Sequence, residues 1–214
     1  MLKIRSYKPI LMVQGATFRS SVAYPQLYYM LEHGDFKQRQ MARDLGIPHG
    51  ARVSGFVNWL VDLKFVEKIK NRQQRLNVYR VTSPVALIKF YSSFRNMETQ
   101  KISRNWGVDR DKVIEYFKNE GGIFCLTTAL EHYTEYVRDP AIHVYVDEDF
   151  WNKMQKKETT GTIRVNMYPS KPYRKDNVIE KDKLLITTRL RTLIDLYCDD
   201  KAYAGEPLIK QIWP

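Results

Sequence analysis

Arg52 and Asn58 lie in a stretch, 50–63, whose apolar residues Val53, Phe56, Val57, Leu60 and Val61 recur at helical spacing. A guanidinium offers a planar fork of donors that matches O6 and N7 of guanine, and a carboxamide pairs at two points with N6 and N7 of adenine. On the predicted helix both side chains fall opposite the apolar stripe, together with His49, Ala51, Ser54, Gly55 and Asp62. Ala51, Ser54 and Gly55 are small enough for the helix to approach a major groove closely, and His49 and Ser54 complete the candidate reading set beside Arg52 and Asn58.

Such a helix needs a frame. A first helix is predicted at 25–33, with Leu27, Met30 and Leu31 inward and Gly34 as its stop. A second follows at 37–45, with Met41, Ala42 and Leu45 inward. Gly46-Ile47-Pro48 then turns the chain, because Gly46 accepts a positive φ and Pro48 cannot extend the preceding helix. After the third helix, 65–70 and 77–82 are β-capable and are joined by a basic, polar tip at 71–76. Helix, helix, turn, helix, basic hairpin is the order of a winged helix-turn-helix, here spanning 24–82. In that motif the second helix crosses the phosphate backbone, which suits Lys37, Gln38, Arg39, Gln40 and Arg43. The wing brings Lys68, Lys70, Arg72 and Arg75 to phosphates, and Gln73 and Gln74 to a minor groove or sugar.

Charge supports the same half. The chain carries +11 in all. Through Gly107 there are 18 Lys+Arg against 6 Asp+Glu, and from Val108 onward 17 against 18. A polyanion-binding module joined to a neutral one accounts for this split. Single-stranded RNA is disfavoured, because Phe56, Trp59 and Phe65 belong to the core pattern rather than to an open stacking face.

The fold class expected is α+β: a winged helix-turn-helix domain at 1–95 with an N-terminal extension, a linker at 96–107, and an α/β regulatory domain at 108–214. The extension holds a possible strand at 10–13, and a helix at 83–94 packs on either half. In the second half, helices are predicted at 109–119, 126–133, 147–156, 189–198 and 206–212, and strands at 141–146, 162–168 and 184–187. Strand 162–168 alternates Ile163, Val165 and Met167 against Arg164 and Asn166.

The candidates for catalysis there are Asp147-Glu148-Asp149, the run Glu180-Lys181-Asp182-Lys183, His132 and His143. The first set reads as a helix cap, the second as a charged loop, and neither a Gly-rich phosphate loop nor a nucleophile motif accompanies them. No catalytic residue, cofactor or metal is therefore expected. Cys125 and Cys198 lack ligand spacing and read as buried thiols. With no run of 18 apolar residues and no secretion signal at the start, a cytoplasmic protein without a membrane partner is expected.

Three segments carry a family resemblance: Asn77-Val78-Tyr79-Arg80-Val81-Thr82, Thr127-Thr128-Ala129-Leu130, and the run from Ile186 to Leu196 that holds Arg191, Thr192 and Asp195. With them the chain resembles, from about Tyr24 onward, the AbiEi family of antitoxin-type regulators in type IV toxin–antitoxin systems of phage defence. The third segment is the most specific, matching an Arg-Thr-Leu-x-Asp-Leu helix after a short strand. The chain departs from the pattern after Leu130, where His132 to Glu135 replaces a Gly-Leu turn. The resemblance implies an N-terminal winged helix and a C-terminal antitoxin domain. It also implies repression of the protein's own promoter and counteraction of a nucleotidyltransferase-like toxin without a stable complex. Arg191 and Asp195 stand at i, i+4 and read as a structural pair along one helix. Two alternatives stay open: a stand-alone winged-helix regulator whose second half dimerises or senses something, and a DNA-processing nuclease. Oligomeric state is left open.

Overall fold

A computed structural model describes residues 22–48, 50–69, 77–135, 138–170 and 177–214. The possible strand at 10–13 and the tip at 71–76 lie outside them. The fold is mixed α and β, in two compact units, Met1–Arg95 and Asn96–Pro214.

The first unit opens with α1 (Ala23–His33), followed by the two-residue strand β1 (Asp35–Phe36), α2 (Gln38–Asp44) and α3 (Ala51–Asp62). Strands β2 (Val66–Ile69) and β3 (Val78–Val81) then lead to α4 (Pro84–Ser92). The antiparallel sheet runs β1-β3-β2, so β1 caps one side of the hairpin. Each helix gives one stripe to a single core: Leu27, Met30 and Leu31 from α1, Met41 from α2, Val53, Phe56, Val57 and Leu60 from α3. Phe36, Val66, Tyr79 and Val81 close it from the sheet, and Leu87, Ile88 and Tyr91 from α4. Leu45 and Val61, expected inward, are only half-buried, because each stands at the end of its stripe. The sheet's outer face carries a charged row in register, with Arg80 opposite both Asp35 and Glu67. Its guanidinium forks onto Asp35 at 2.7 and 2.8 Å, which ties β1 to β3.

The second unit is a six-stranded mixed sheet, ordered β4-β7-β6-β5-β9-β8. Its elements are β4 (Ile102–Trp106), α5 (Arg110–Asn119), β5 (Ile123–Phe124), α6 (Leu126–Leu130), β6 (Ile142–Val146), α7 (Glu148–Lys156) and β7 (Ile163–Pro169). They continue with β8 (Val178–Lys181), β9 (Leu184–Thr187), α8 (Arg189–Cys198) and α9 (Glu206–Ile212). One sheet face, made by Ile102, Ile142, Val144, Val146, Val165 and Met167, packs against Val113 and Phe117 of α5 and Met154 of α7. Helices α6 and α8 lie on the other face along β6 and β9.

Two expectations need correcting. The stretch 96–107 is not a linker: it holds β4, an edge strand paired with β7 from Ile102–Met167 to Trp106–Ile163. Its Ser-Arg-Asn interior looked like a connector because an edge strand needs few apolar residues. The run 180–183 is not a loop: Glu180 and Lys181 end β8, and Asp182 and Lys183, both at positive φ, make the tight turn into β9. The alternation expected along β7 holds, and Asn166, on the side opposite Val165, is 5% exposed, since β7 is interior to the sheet and both its faces are largely covered.

Arg191, Thr192 and Asp195 are fully buried on α8. Arg191 Nε lies 3.7 Å from Asp195 Oδ2, and Tyr145 of β6 donates to the same oxygen at 2.8 Å. The guanidinium also sits 4.7 Å above the Tyr145 ring. Thr192 donates to the Thr187 carbonyl at 3.2 Å, fixing α8 on the end of β9. Removing one member of such a buried pair strands the other charge, so Arg191→Ala should cost about 3–5 kcal/mol in denaturant unfolding. Changing both to apolar residues, Arg191→Met with Asp195→Leu, should recover most of that loss; if the double variant is as unstable as the single one, the pair is not the cause.

Candidate nucleic-acid interface

The α3 surface is built from the turn before it. Gly46 adopts φ +62°, and Ile47 donates back to the Ala42 carbonyl at 2.9 Å, so the chain leaves α2 abruptly and re-enters a helix at Ala51. Tyr29 of α1 donates to Asp44 Oδ2 at 2.7 Å, which fixes the end of α2 against α1. Burial first, then that hydrogen bond, pushes the Tyr29 hydroxyl up to about 12, so it stays protonated and keeps donating at physiological pH.

With Val53, Phe56, Val57 and Leu60 turned inward, α3 presents Arg52, Gly55, Asn58 and Asp62 to solvent. No atom lies within 4 Å of where a Cβ of Gly55 would stand, so the helix surface is recessed between Arg52 and Asn58. Ser54 is half-buried and its hydroxyl donates back to the Gly50 carbonyl at 2.9 Å, which engages it locally. Asp62 is the one acid on this exposed strip among the described residues.

On α2, Arg39 and Arg43 are exposed, while Lys37 and Gln38 are half-buried at its start. Gln40 is exposed, but its amide donates to Asp44 Oδ1 at 2.6 Å along the helix. Lys68 is exposed on β2, opposite Tyr79. His49, Lys70, Arg72, Gln73, Gln74 and Arg75 lie outside the described residues. The structure thus gathers Arg52 and Asn58 on one helix face and Arg39 and Arg43 on another, and ties up Gln40 and Ser54.

Charge follows the units. Residues 1–95 hold 16 Lys+Arg against 5 Asp+Glu, and residues 96–214 hold 19 of each. Within the first unit, Asp35 and Asp44 are engaged in internal contacts, which leaves the basic excess outward.

In the second unit the acids and histidines singled out for chemistry make local contacts. Asp147 caps α7, accepting from the Phe150 amide at 2.7 Å, and His132 meets Asp182 at 2.9 Å. Among the described residues no three of His, Cys, Asp and Glu gather into a metal-binding group, and no helix is long and apolar enough to cross a membrane. Cys125 and Cys198 are buried free thiols.

A polar chain missed at the level of sequence starts at Thr127, which donates to Asp139 Oδ2 at 2.9 Å. His143, 1% exposed, reaches the same oxygen through Nε2 at 3.3 Å and the Tyr168 hydroxyl through Nδ1 at 3.3 Å. Tyr168 donates on to Asp199 at 3.3 Å, and Asp199 pairs with Lys201. Asp139 and Asp199 are 60 positions apart, and no local spacing announces them. Burial, with Asp199 nearby, pushes the Tyr168 hydroxyl far up, so this link is a permanent donor.

Compared with known protein families and with curated proteins, the sequence finds no match in either.

The hydrogen bond from His143 holds Asp139 well below the usual carboxylate range, helped by the Ala141 amide and Thr127. Folding therefore favours ionised Asp139. That stabilisation is complete above an ordinary aspartate pKa of about 4 and is lost as pH falls through the lower, folded value. Asp139→Asn should lower stability at neutral pH and flatten the fall in unfolding free energy below about pH 4. Denaturant titrations from pH 6 to pH 2 check this; parallel curves for the two proteins would remove Asp139 from the acid response.

Proposed function

We propose that this chain is a sequence-specific regulator that binds double-stranded DNA through a winged helix in its first unit. One observation carries the reading: an exposed Arg52–Gly55–Asn58 strip on α3, backed by a fully buried stripe, in the unit that holds the whole basic excess. Two others support it. The short strand between α1 and α2, and the order β1-β3-β2, match the way a winged helix closes its hairpin. Arg39, Arg43 and Lys68 supply cations on the neighbouring elements, where phosphates flank a major groove.

In this reading Arg52 takes guanine and Asn58 adenine, while α2 and the wing hold the backbone. The resemblance to AbiEi antitoxins extends the proposal. The protein represses its own promoter in the cytoplasm, and the second unit counteracts a nucleotidyltransferase-like toxin encoded beside it. Co-expression with the neighbouring reading frame tests that extension; growth arrest that the chain does not relieve removes it. The polar cleft described below favours a second reading, a stand-alone regulator whose second unit senses a ligand.

Gel shifts on the DNA upstream of the gene, repeated across salt concentrations, test the DNA reading. With about five phosphates neutralised, log K should fall against log salt with a slope of roughly −4 to −5. Arg52→Ala should cost about 1–3 kcal/mol on the specific site and relax base preference at one position. Unchanged affinity and preference would take Arg52 off the reading face. Lys68→Ala should weaken all sequences alike and flatten the slope by about one unit; an unaltered slope means that β2 does not reach phosphate.

A further inference from the structure

On the α6–α8 side of the second unit's sheet, Ser103, Asn166 and His143 stand opposite one another across β4, β7 and β6. Ser103 donates to Asn166 Oδ1 at 2.7 Å, and the Asn166 amide nitrogen lies 3.5 Å from His143 Nε2. A cleft of about 420 Å³ opens beside them, lined by Asn166, His143, Asp139, Lys101, Arg164 and Lys201. That volume falls within the range of small-molecule sites, roughly 300–1,000 Å³.

Three cations from separate segments share this cleft. Lys101 precedes β4, Arg164 lies two residues before Asn166 on β7, and Lys201 follows α8. Lys101 bonds to Glu98 and Lys201 to Asp199, whose side chain is fully buried. Arg164 is exposed and, among the described residues, has no carboxylate within 4 Å. Glu98, itself 46% exposed, is the carboxylate that holds Lys101. The Lys101 hydrogen bond first, then the charges of Lys101, Lys201 and Arg164, hold its carboxyl below the ordinary range. Arg164, with no carboxylate partner among the described residues, and Lys101, held only by an exposed one, leave the cationic side of the cleft open to a stronger anion.

We propose that this cleft binds a phosphorylated sugar, its phosphate held by Arg164 and Lys201 and displacing the Glu98 carboxylate from Lys101. The sugar hydroxyls then face Asn166, His143 and Asp139. Asp139 stays ionised and accepts from hydroxyls, so the cleft has a cationic end for phosphate and an accepting end for a polyol. A polymeric phosphate fits less well. The unit's Lys+Arg and Asp+Glu balance at 19 each, so no long-range field draws a polyanion to it. This inference concerns the second unit alone and does not rest on DNA binding by the first.

Isothermal titration of the full chain with ribose 5-phosphate, adenosine monophosphate, inorganic phosphate and ribose tests the site. Saturable binding of ribose 5-phosphate or the nucleotide at one per chain, with none of ribose, is expected. The tighter of the two identifies the source as a free sugar phosphate or a nucleotide. Arg164→Ala should weaken binding about tenfold, the scale of one charge-assisted hydrogen bond. Glu98→Gln should tighten it several-fold, because the internal competitor has gone. Both positions are exposed, and unchanged melting curves confirm that the variants fold. No saturable binding of any phosphate probe, wild-type affinity in Arg164→Ala, or weaker binding in Glu98→Gln would overturn the proposal. Gel-shift behaviour should be the same in all three proteins without added ligand, which separates failure of this site from failure of the DNA reading.

Discussion

The Arg191–Asp195 pair against Tyr145 is the constraint on which the second unit's arrangement depends. A guanidinium and a carboxylate, both fully buried, each carry a desolvation penalty of several kcal/mol, offset only where geometry and extra hydrogen bonds are good. Tyr145 offsets part of it, donating to Asp195 and laying its ring beneath Arg191. Because Tyr145 belongs to β6 and the pair to α8, any register in which they miss each other leaves a bare charge inside. Thr192 on Thr187 extends the same lock to β9. The helix is thereby fixed across three neighbouring strands, since the short β5 lies between β6 and β9.

That lock divides the sheet's two faces by chemistry. One face is closed by aliphatic and aromatic packing from α5 and α7 and tolerates modest repacking. The other carries, besides the buried leucines of α6 and α8, a chain of polar contacts from Thr127 to Lys201, where each group needs its partner. Where this chain reaches the β4–β7 side it stops being covered and becomes the floor of a cleft. A polar interior that meets solvent at one place is how a structural network comes to present hydrogen-bonding groups to a ligand.

The helices were legible from periodicity: α3, with Val53, Phe56, Val57 and Leu60 at helical spacing, and α8, with Leu190, Leu193 and Ile194, lie where their stripes put them. Strands β1 and β5 were not, since two residues carry no period. The β8–β9 hairpin was hidden because its turn is Asp182-Lys183, without the Asn-Gly or Asp-Gly that usually marks such a turn. On the candidate reading face, exposure of Arg52 and Asn58 follows directly from the stripe. The engagement of Gln40 by Asp44 is an i, i+4 contact that the spacing permits but does not require. The cleft was out of reach, because Lys101, Asp139, Arg164 and Lys201 meet only through strand order.

The two units also differ in how their charges can act. In the second, the exposed Arg164 and the paired Lys101 and Lys201 act over a few ångströms around one cleft, and balanced charge cancels their field beyond it. In the first, the excess is uncancelled: 16 Lys+Arg stand against 5 Asp+Glu, and the exposed Asp35 and Asp44 are bonded to Arg80, Tyr29 and Gln40. Additive charge attracts a partner from beyond a Debye length only if that partner is itself highly charged. A uniform polyanion meets that condition and a small ligand does not. On the two proposals made above, the chain pairs a surface suited to long-range capture of a polymer with a cleft suited to short-range recognition of a single anion.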